Sequence, residues 1–178
     1  ARTNYALREE VRALRGEGPT AIIAHGANPG MVSHLFKRAL VRLAADMGHT
    51  VAPQTREAWA QLAMDLGVKG IHIAERDTQI SSVPKRTNEF VNTWSVDGLY
   101  EEGIAPAEMG WGTHERRLPA NAFVHSGEGP CNQICIARPG IETWVRSWVP
   151  SGEIRGMVVR HGESFTMSEH LTVDDGHG

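Results

Sequence analysis

The sequence has no apolar run of eighteen residues or more, so no transmembrane helix is expected. It opens on ARTNYALREE, with neither an apolar leader nor an initiator Met, which suggests an internal piece of a longer chain and no signal peptide. Only two cysteines occur, Cys131 and Cys135, with three residues between them and so not a CxxC pair. Two thiols make no disulfide framework, which fits a reducing, cytoplasmic setting. They read as core side chains more readily than as ligands. There is no lysine block and the net charge is −3, which argues against a nonspecific nucleic-acid binder and leaves cationic ligands open. The G-x-G-x-x-G fingerprint is absent, so these residues hold no dinucleotide-binding half. Nine histidines are scattered without HExxH or HxH, and no metal-ligand set is assigned.

What is present is one domain's worth of chain. The 178 residues, 40% hydrophobic and 22% charged, can bury a core, and no linker or repeat divides residues 1–178. Leu7, Val11 and Leu14 at i, i+4 and i+7 predict a short helix over 4–15 that ends at Gly16. Ala21-Ile22-Ile23-Ala24 predicts a buried strand. The turn His25-Gly26-Ala27-Asn28 then leads to Pro29 as the first residue of a helix capped by Asn28. That helix carries apolar pairs every four residues from Met31/Val32 to Met47. A third helix presents Trp59, Leu62, Ala63 and Leu66 and stops at Gly67. Gly70–Ala74 and the alternating Phe90, Asn92 and Trp94 predict strands, as do 143–148 and 154–160, with ordered loop over 103–130. The pattern predicts an α+β fold, a mixed sheet with helices on one side.

Three stretches can carry chemistry. The turn 25–30 at a helix start offers free backbone N–H groups to a polar or anionic ligand, or is an ordinary strand–helix connection. Glu75 and Asp77 leave a strand, and Trp94 precedes Asp97, Tyr100, Glu101 and Glu102, with Glu108 and Trp111 beyond. Carboxylates bind ammonium ends and an aromatic face attracts a cation, so this mixture suits an organic cation; it also suits a solvated acidic loop. Arg160-His161-Gly162-Glu163 is a proton-transfer pair, two metal ligands to be completed by His25, His72 or His114, or a glycine bulge at a sheet edge. His34, His49, His170 and His177 read as surface residues.

Taken together, HGANPGMVSHLFKRAL, IHIAERDTQ, NTWSVDGLYEEG, EMGWGTHE and GMVVRHGES resemble bacterial homospermidine synthases, relatives of the saccharopine dehydrogenase group, from about Thr3 to about Val173. The resemblance implies a transferase that uses NAD as a recycled redox group. Putrescine is oxidised to an imine, ammonia leaves, a second amine forms a Schiff base, and the stored hydride reduces it. It implies that Trp94 is a cation–π partner, that Glu75 and Glu102 hold protonated amines, and that Glu163 lines the substrate pocket. It further implies that His161 moves protons and that Asn28 orients the nicotinamide end or the substrate. It places the Rossmann domain outside these residues, so the chain is expected to be the substrate-binding and catalytic part of a homodimeric enzyme, inactive alone. A saccharopine or carboxynorspermidine dehydrogenase-like reductase is the nearest rival, with Arg76 and Arg160 available to a carboxylate. A His/Glu metallohydrolase and a noncatalytic polyamine-binding module are the readings from other classes.

Overall fold

The computed structural model describes residues 2–14, 16, 18–20, 22, 25–92, 94–125 and 132–174, and of residues 2–5 the backbone alone. The expected strand 21–24 falls outside it save for Ile22, as do Cys131 and His177. The first half is helical: α1 (Arg2–Ala13), α2 (Met31–Asp46) and α3 (Arg56–Asp65). Thr55 begins α3 by accepting the Ala58 N–H on its hydroxyl at 3.2 Å, and Gly67 follows its end with φ 66°, a backbone state that glycine adopts without strain. Leu40 and Ala44 of α2 pack on Leu62 and Ala63 of α3, with Phe36, Trp59, Leu66 and Leu171 around them.

The apolar arc of α2 is wider than this contact. Met31, Leu35 and Leu43 remain exposed, as does Met47 just past its end. In α1 the stripe Leu7, Val11 and Leu14 also faces solvent. That helix docks through Arg8, which pairs with Glu169 and lies 5.9 Å from the centre of the Phe165 ring.

The second half contains α4 (Val96–Ile104), β1 (Pro106–Gly110), β2 (Ala122–Val124), β3 (Gln133–Pro139), β4 (Trp144–Val149), β5 (Gly152–Met157) and α5 (Gly162–Leu171). β1, β3 and β2 form an antiparallel sheet in that order, with Glu108 opposite Cys135 and Ala107 opposite Ile136. β4 and β5 form a hairpin in register from Trp144↔Met157 to Val149↔Gly152. α5 packs against α3 and against β1, so it lies between the helices and the three-stranded sheet. Arg56 fastens its end by donating to the carbonyls of Glu169 and Thr172 at 3.0 and 2.7 Å, a cation where the helix dipole favours one. The α+β class expected from the sequence is what is found, and no helix among the described residues is long and apolar enough to cross a membrane.

Several local expectations fail. Residues 70–74 form no regular element and pair with no strand among the described residues; His72 reaches β4 through its ring, at 2.8 Å from the Ser147 hydroxyl. The alternation at Phe90, Asn92 and Trp94 makes no strand either, because Ser95 starts a helix immediately after it. The expected loop 103–130 holds β1 and β2. The supposed bulge at Gly162 is the first residue of α5.

Candidate functional site

Ser95 caps α4 by accepting the Gly98 N–H at 2.9 Å, and Asp97 sits in the first turn, where the dipole favours an acid. The acidic stretch is therefore a helix, and its spacing sorts the side chains. Asp97, Tyr100 and Glu101 are exposed, whereas Leu99 and Glu102 turn inward and Gly103 is buried. An acid in the last turn of a helix opposes the dipole. What Glu102 faces explains its place: its Oε1 lies 3.9 Å from the Nε2 of His161.

His161 is the residue that begins α5, in extended conformation, and its ring makes no cap. Its Nδ1 bonds the carboxylate of Glu163 within the first turn of the same helix. Glu163 is buried, and its Oε1 has no hydrogen-bond partner among the described residues. An ionised carboxylate only accepts, so the bond to Glu163 places the proton of a neutral ring on Nδ1 and leaves the Nε2 lone pair toward Glu102. The structure thus brings together three of the expected residues, Glu102, His161 and Glu163, as one imidazole between two carboxylates. Such a group can accept a proton on one side while the other side fixes its orientation.

Trp94 precedes the Ser95 cap and is 59% exposed. Its Cη2 rests against α4 at Gly98, where an added Cβ would lie 2.8 Å from it. The close approach needs a glycine and leaves much of the indole open to a cation. Glu75 lies in the irregular segment before, exposed, and no hydrogen bond or ion pair joins it to the three.

The turn before α2 differs from expectation in two ways. Asn28 is not the cap; Gly30 is, without a side-chain bond. Nor are the first amides of α2 free. Met31, Val32 and Ser33 donate to the carbonyls of Gly26, Ala27 and Gly30 at 2.9, 3.0 and 3.0 Å. Gly30 makes this closure feasible: at φ 134° any Cβ would stand 2.5 Å from the Gly26 carbonyl oxygen. The half-buried Asn28 forms no side-chain hydrogen bond among the described residues, so its carboxamide is open to a ligand. The adjoining Pro29 ring packs on the start of α5, its Cγ 3.2 Å from where a Cβ on Gly162 would be.

The histidines invoked for a metal at His161 and Glu163 are engaged elsewhere. His72 meets Ser147, His114 bonds the Lys69 carbonyl at 2.6 Å, and His25 stacks on His34 at 5.4 Å. His170 is not a surface residue: it is part-buried, and burial lowers its pKa, with Lys37 and Arg56 adding to the effect. Glu108 is not part of the acid–aromatic group around Trp94. It is buried in the three-stranded sheet, beside His125 and Cys135. Sequence reasoning missed that group, whose signal was the antiparallel register that sets residue 108 opposite 135.

The profile of the saccharopine dehydrogenase C-terminal domain family matches residues 26–176. The chain is similar to the homospermidine synthase of Blastochloris viridis, with 56% identity over 184 residues covering 100% of this chain and 38% of that protein. It is similar to the homospermidine synthase of Mesorhizobium japonicum, 47% identical over 180 residues, covering 97% and 37%. Its structure is similar to the crystal structure of the homospermidine synthase from Legionella pneumophila in complex with NAD, with TM-score 0.89 and 48% identity over 98% of this chain and 39% of that one. The chain therefore spans less than two fifths of the length of these relatives.

Proposed function

Because the chain belongs to the saccharopine dehydrogenase C-terminal domain family, we propose that it is the substrate-binding and catalytic part of an NAD-dependent homospermidine synthase. Residues 1–178 act as one domain region in a cytoplasmic, homodimeric enzyme that converts two putrescines to sym-homospermidine and ammonia. The observation that carries this reading is the His161 imidazole held between Glu102 and Glu163. Interconverting amines and imines needs a proton acceptor next to anionic groups that hold ammonium ends.

The residues fit the reacting end of NAD and not its phosphates. The open carboxamide of Asn28 is a partner for the nicotinamide end or the substrate, while the amides that would cradle a pyrophosphate are spent within the turn. When bound, NAD supplies the acceptance and return of a hydride, so no net oxidation occurs. The chain's own residues do the rest. Glu75 and Glu102 hold the ammonium ends by charge-assisted bonds. Trp94 lies over the ammonium or iminium, a contact worth about 0.5–2 kcal/mol depending on desolvation. The Nε2 of His161 takes the proton that frees an amine lone pair, then gives it to the departing ammonia. Glu163 lines the pocket and holds the ring through Nδ1.

The test uses the complete gene product with putrescine as sole amine and NAD in catalytic amount. Homospermidine and ammonia should form in equal amounts without accumulation of NADH. A requirement for stoichiometric NAD(P)H and a carboxylated co-substrate would instead identify a reductase of the same group.

A further inference from the structure

One buried group lies apart from the imidazole between its carboxylates. Glu108 on β1, His125 just beyond β2 and Cys135 on β3 meet on one face of the three-stranded sheet. The register explains the meeting: Glu108 and Phe123 both stand opposite Cys135, and two residues after Phe123 the His125 N–H bonds the Gln133 carbonyl at 3.3 Å. Period-two alternation then sends 108, 125, 133 and 135 to the same side. Glu108 and Cys135 are 8% and 4% exposed, and one ligand atom from each of the three lies within 4.8 Å of the others.

We propose that Glu108, His125 and Cys135 form a binding site for a divalent, borderline-soft metal ion of zinc type. Carboxylate oxygen, imidazole nitrogen and thiolate sulfur are the three donor kinds that zinc accepts. Metal–ligand bonds of about 2.0–2.3 Å in a tetrahedron put its donor atoms roughly 3.3–3.8 Å apart. The His125 Nε2 and Glu108 Oε1 already stand 3.4 Å apart, one edge of that figure. The ligand atoms of all three residues lie within 4.8 Å of one another, so a closure of about 1–1.5 Å at most brings the sulfur to the other two edges. Hard cations such as magnesium prefer all-oxygen shells and would not select this set.

One further observation agrees. Gln133 is fully buried on the same face, gives its Nε2–H to Ser164, and has no partner for Oε1 among the described residues, an oxygen that a cation would satisfy. The ion enters by displacing the thiol proton of Cys135: the S–H bond breaks, the metal–sulfur bond forms, and one proton is released per ion. Two of the donors lie on β1 and β3 and the third directly follows β2, so the ion ties the three strands together. The amine chemistry proposed for His161 involves none of them.

Cobalt(II) alone, added to the metal-stripped complete gene product, is the probe. One equivalent should bind with a sulfur-to-cobalt charge-transfer band, about one proton released, and a raised melting temperature. Cys135→Ser should lose the band and His125→Asn should weaken binding at least tenfold, each variant being checked for native circular dichroism. In case the variants fail to fold, X-ray absorption of the zinc-loaded wild type reads the shell directly: one sulfur at about 2.3 Å with nitrogen and oxygen near 2.0–2.2 Å. No stoichiometric uptake by folded wild type, a band that survives Cys135→Ser, or a shell without one sulfur overturns the proposal.

Discussion

Glu163→Gln should make the domain more stable and the enzyme slower. Glu163 is 5% exposed, one oxygen bonds the His161 Nδ1, and the other is buried without a hydrogen-bond partner among the described residues. An orphaned polar atom of this kind costs about 1–3 kcal/mol, at the upper end when it is charged. The amide keeps the size and shape, removes the charge, and can still accept from Nδ1 through its carbonyl. We expect a net gain of about 1 kcal/mol, or roughly 2–4 °C in Tm for a domain of this size. The same change removes the anion that stabilises a protonated ring, and it allows the amide NH2 to turn toward Nδ1 and shift the tautomer. General acid–base catalysis contributes about 10²–10⁴-fold, so losing part of it should lower kcat on putrescine by roughly 10–100-fold. KM should move less, because Glu102, Glu75 and Trp94, the residues proposed to hold the ammonium ends, remain. Thermal melts and steady-state rates on the complete gene product measure both halves. A fall in Tm with unchanged kcat would refute the reasoning and make Glu163 a structural residue.

Trp94→Phe should keep part of the cation–π attraction and Trp94→Ala should lose it, with kcat/KM for putrescine falling in that order; equal activity in all three removes Trp94 from the site. Gly98→Ala should act in the same direction, because its Cβ would fall 2.8 Å from the indole and push the ring off its seat; unchanged kcat/KM would show that the seat is unimportant. Gly30→Ala should cost at least about 2 kcal/mol, since φ 134° is strained for any side chain and the Cβ would strike the Gly26 carbonyl; denaturant melts read it, and a neutral effect counts against the described turn. His170 has a lowered pKa from burial, so the unfolded chain binds its proton more readily than the folded one. Its contribution to stability is present above the ordinary value of about 6.5 and is lost as pH falls through that value toward the lowered one. Melts from pH 7.5 to about pH 5.5 should therefore decline less steeply for His170→Asn than for wild type; parallel curves would show that His170 does not contribute.

The helices of the first half were legible because their signals are local. Every-four periodicity marked α2, and Gly67 marked the end of α3. Periodicity did not say which side of a helix would be covered. Leu40 and Ala44 found α3, while Leu35 and Leu43, equally apolar, did not. Short segments are harder, because their pattern suits two structures. Ser164-Phe165-Thr166-Met167-Ser168 alternates like a strand, yet it lies within α5 because Phe165 and Met167 bury between α3 and the sheet and Arg56 secures the far end. Residues 70–74 have strand composition but no ladder partner among the described residues, and a ladder is what makes a strand.

The candidate site lay between these extremes. Its residue types were visible, but composition alone could not separate Glu102 from Glu101, adjacent acids with the same chemistry. Helix geometry separates them. A rotation of about 100° per residue sends Glu101 to solvent with Asp97 and turns Glu102 toward the start of α5. There the two ends meet: a carboxylate from the last turn of α4, where the dipole disfavours it, and an imidazole whose other nitrogen is held by an acid in the first turn of α5, where the dipole favours it. The dipole thus opposes one acid and favours the other, while burial weighs the opposite way, since Glu163 is the more deeply buried of the two. The physical expectation follows from that asymmetry: Glu102, the more accessible carboxylate, is the one beside which an ammonium group can come to rest, and it gains there a counter-charge that its helix end does not supply.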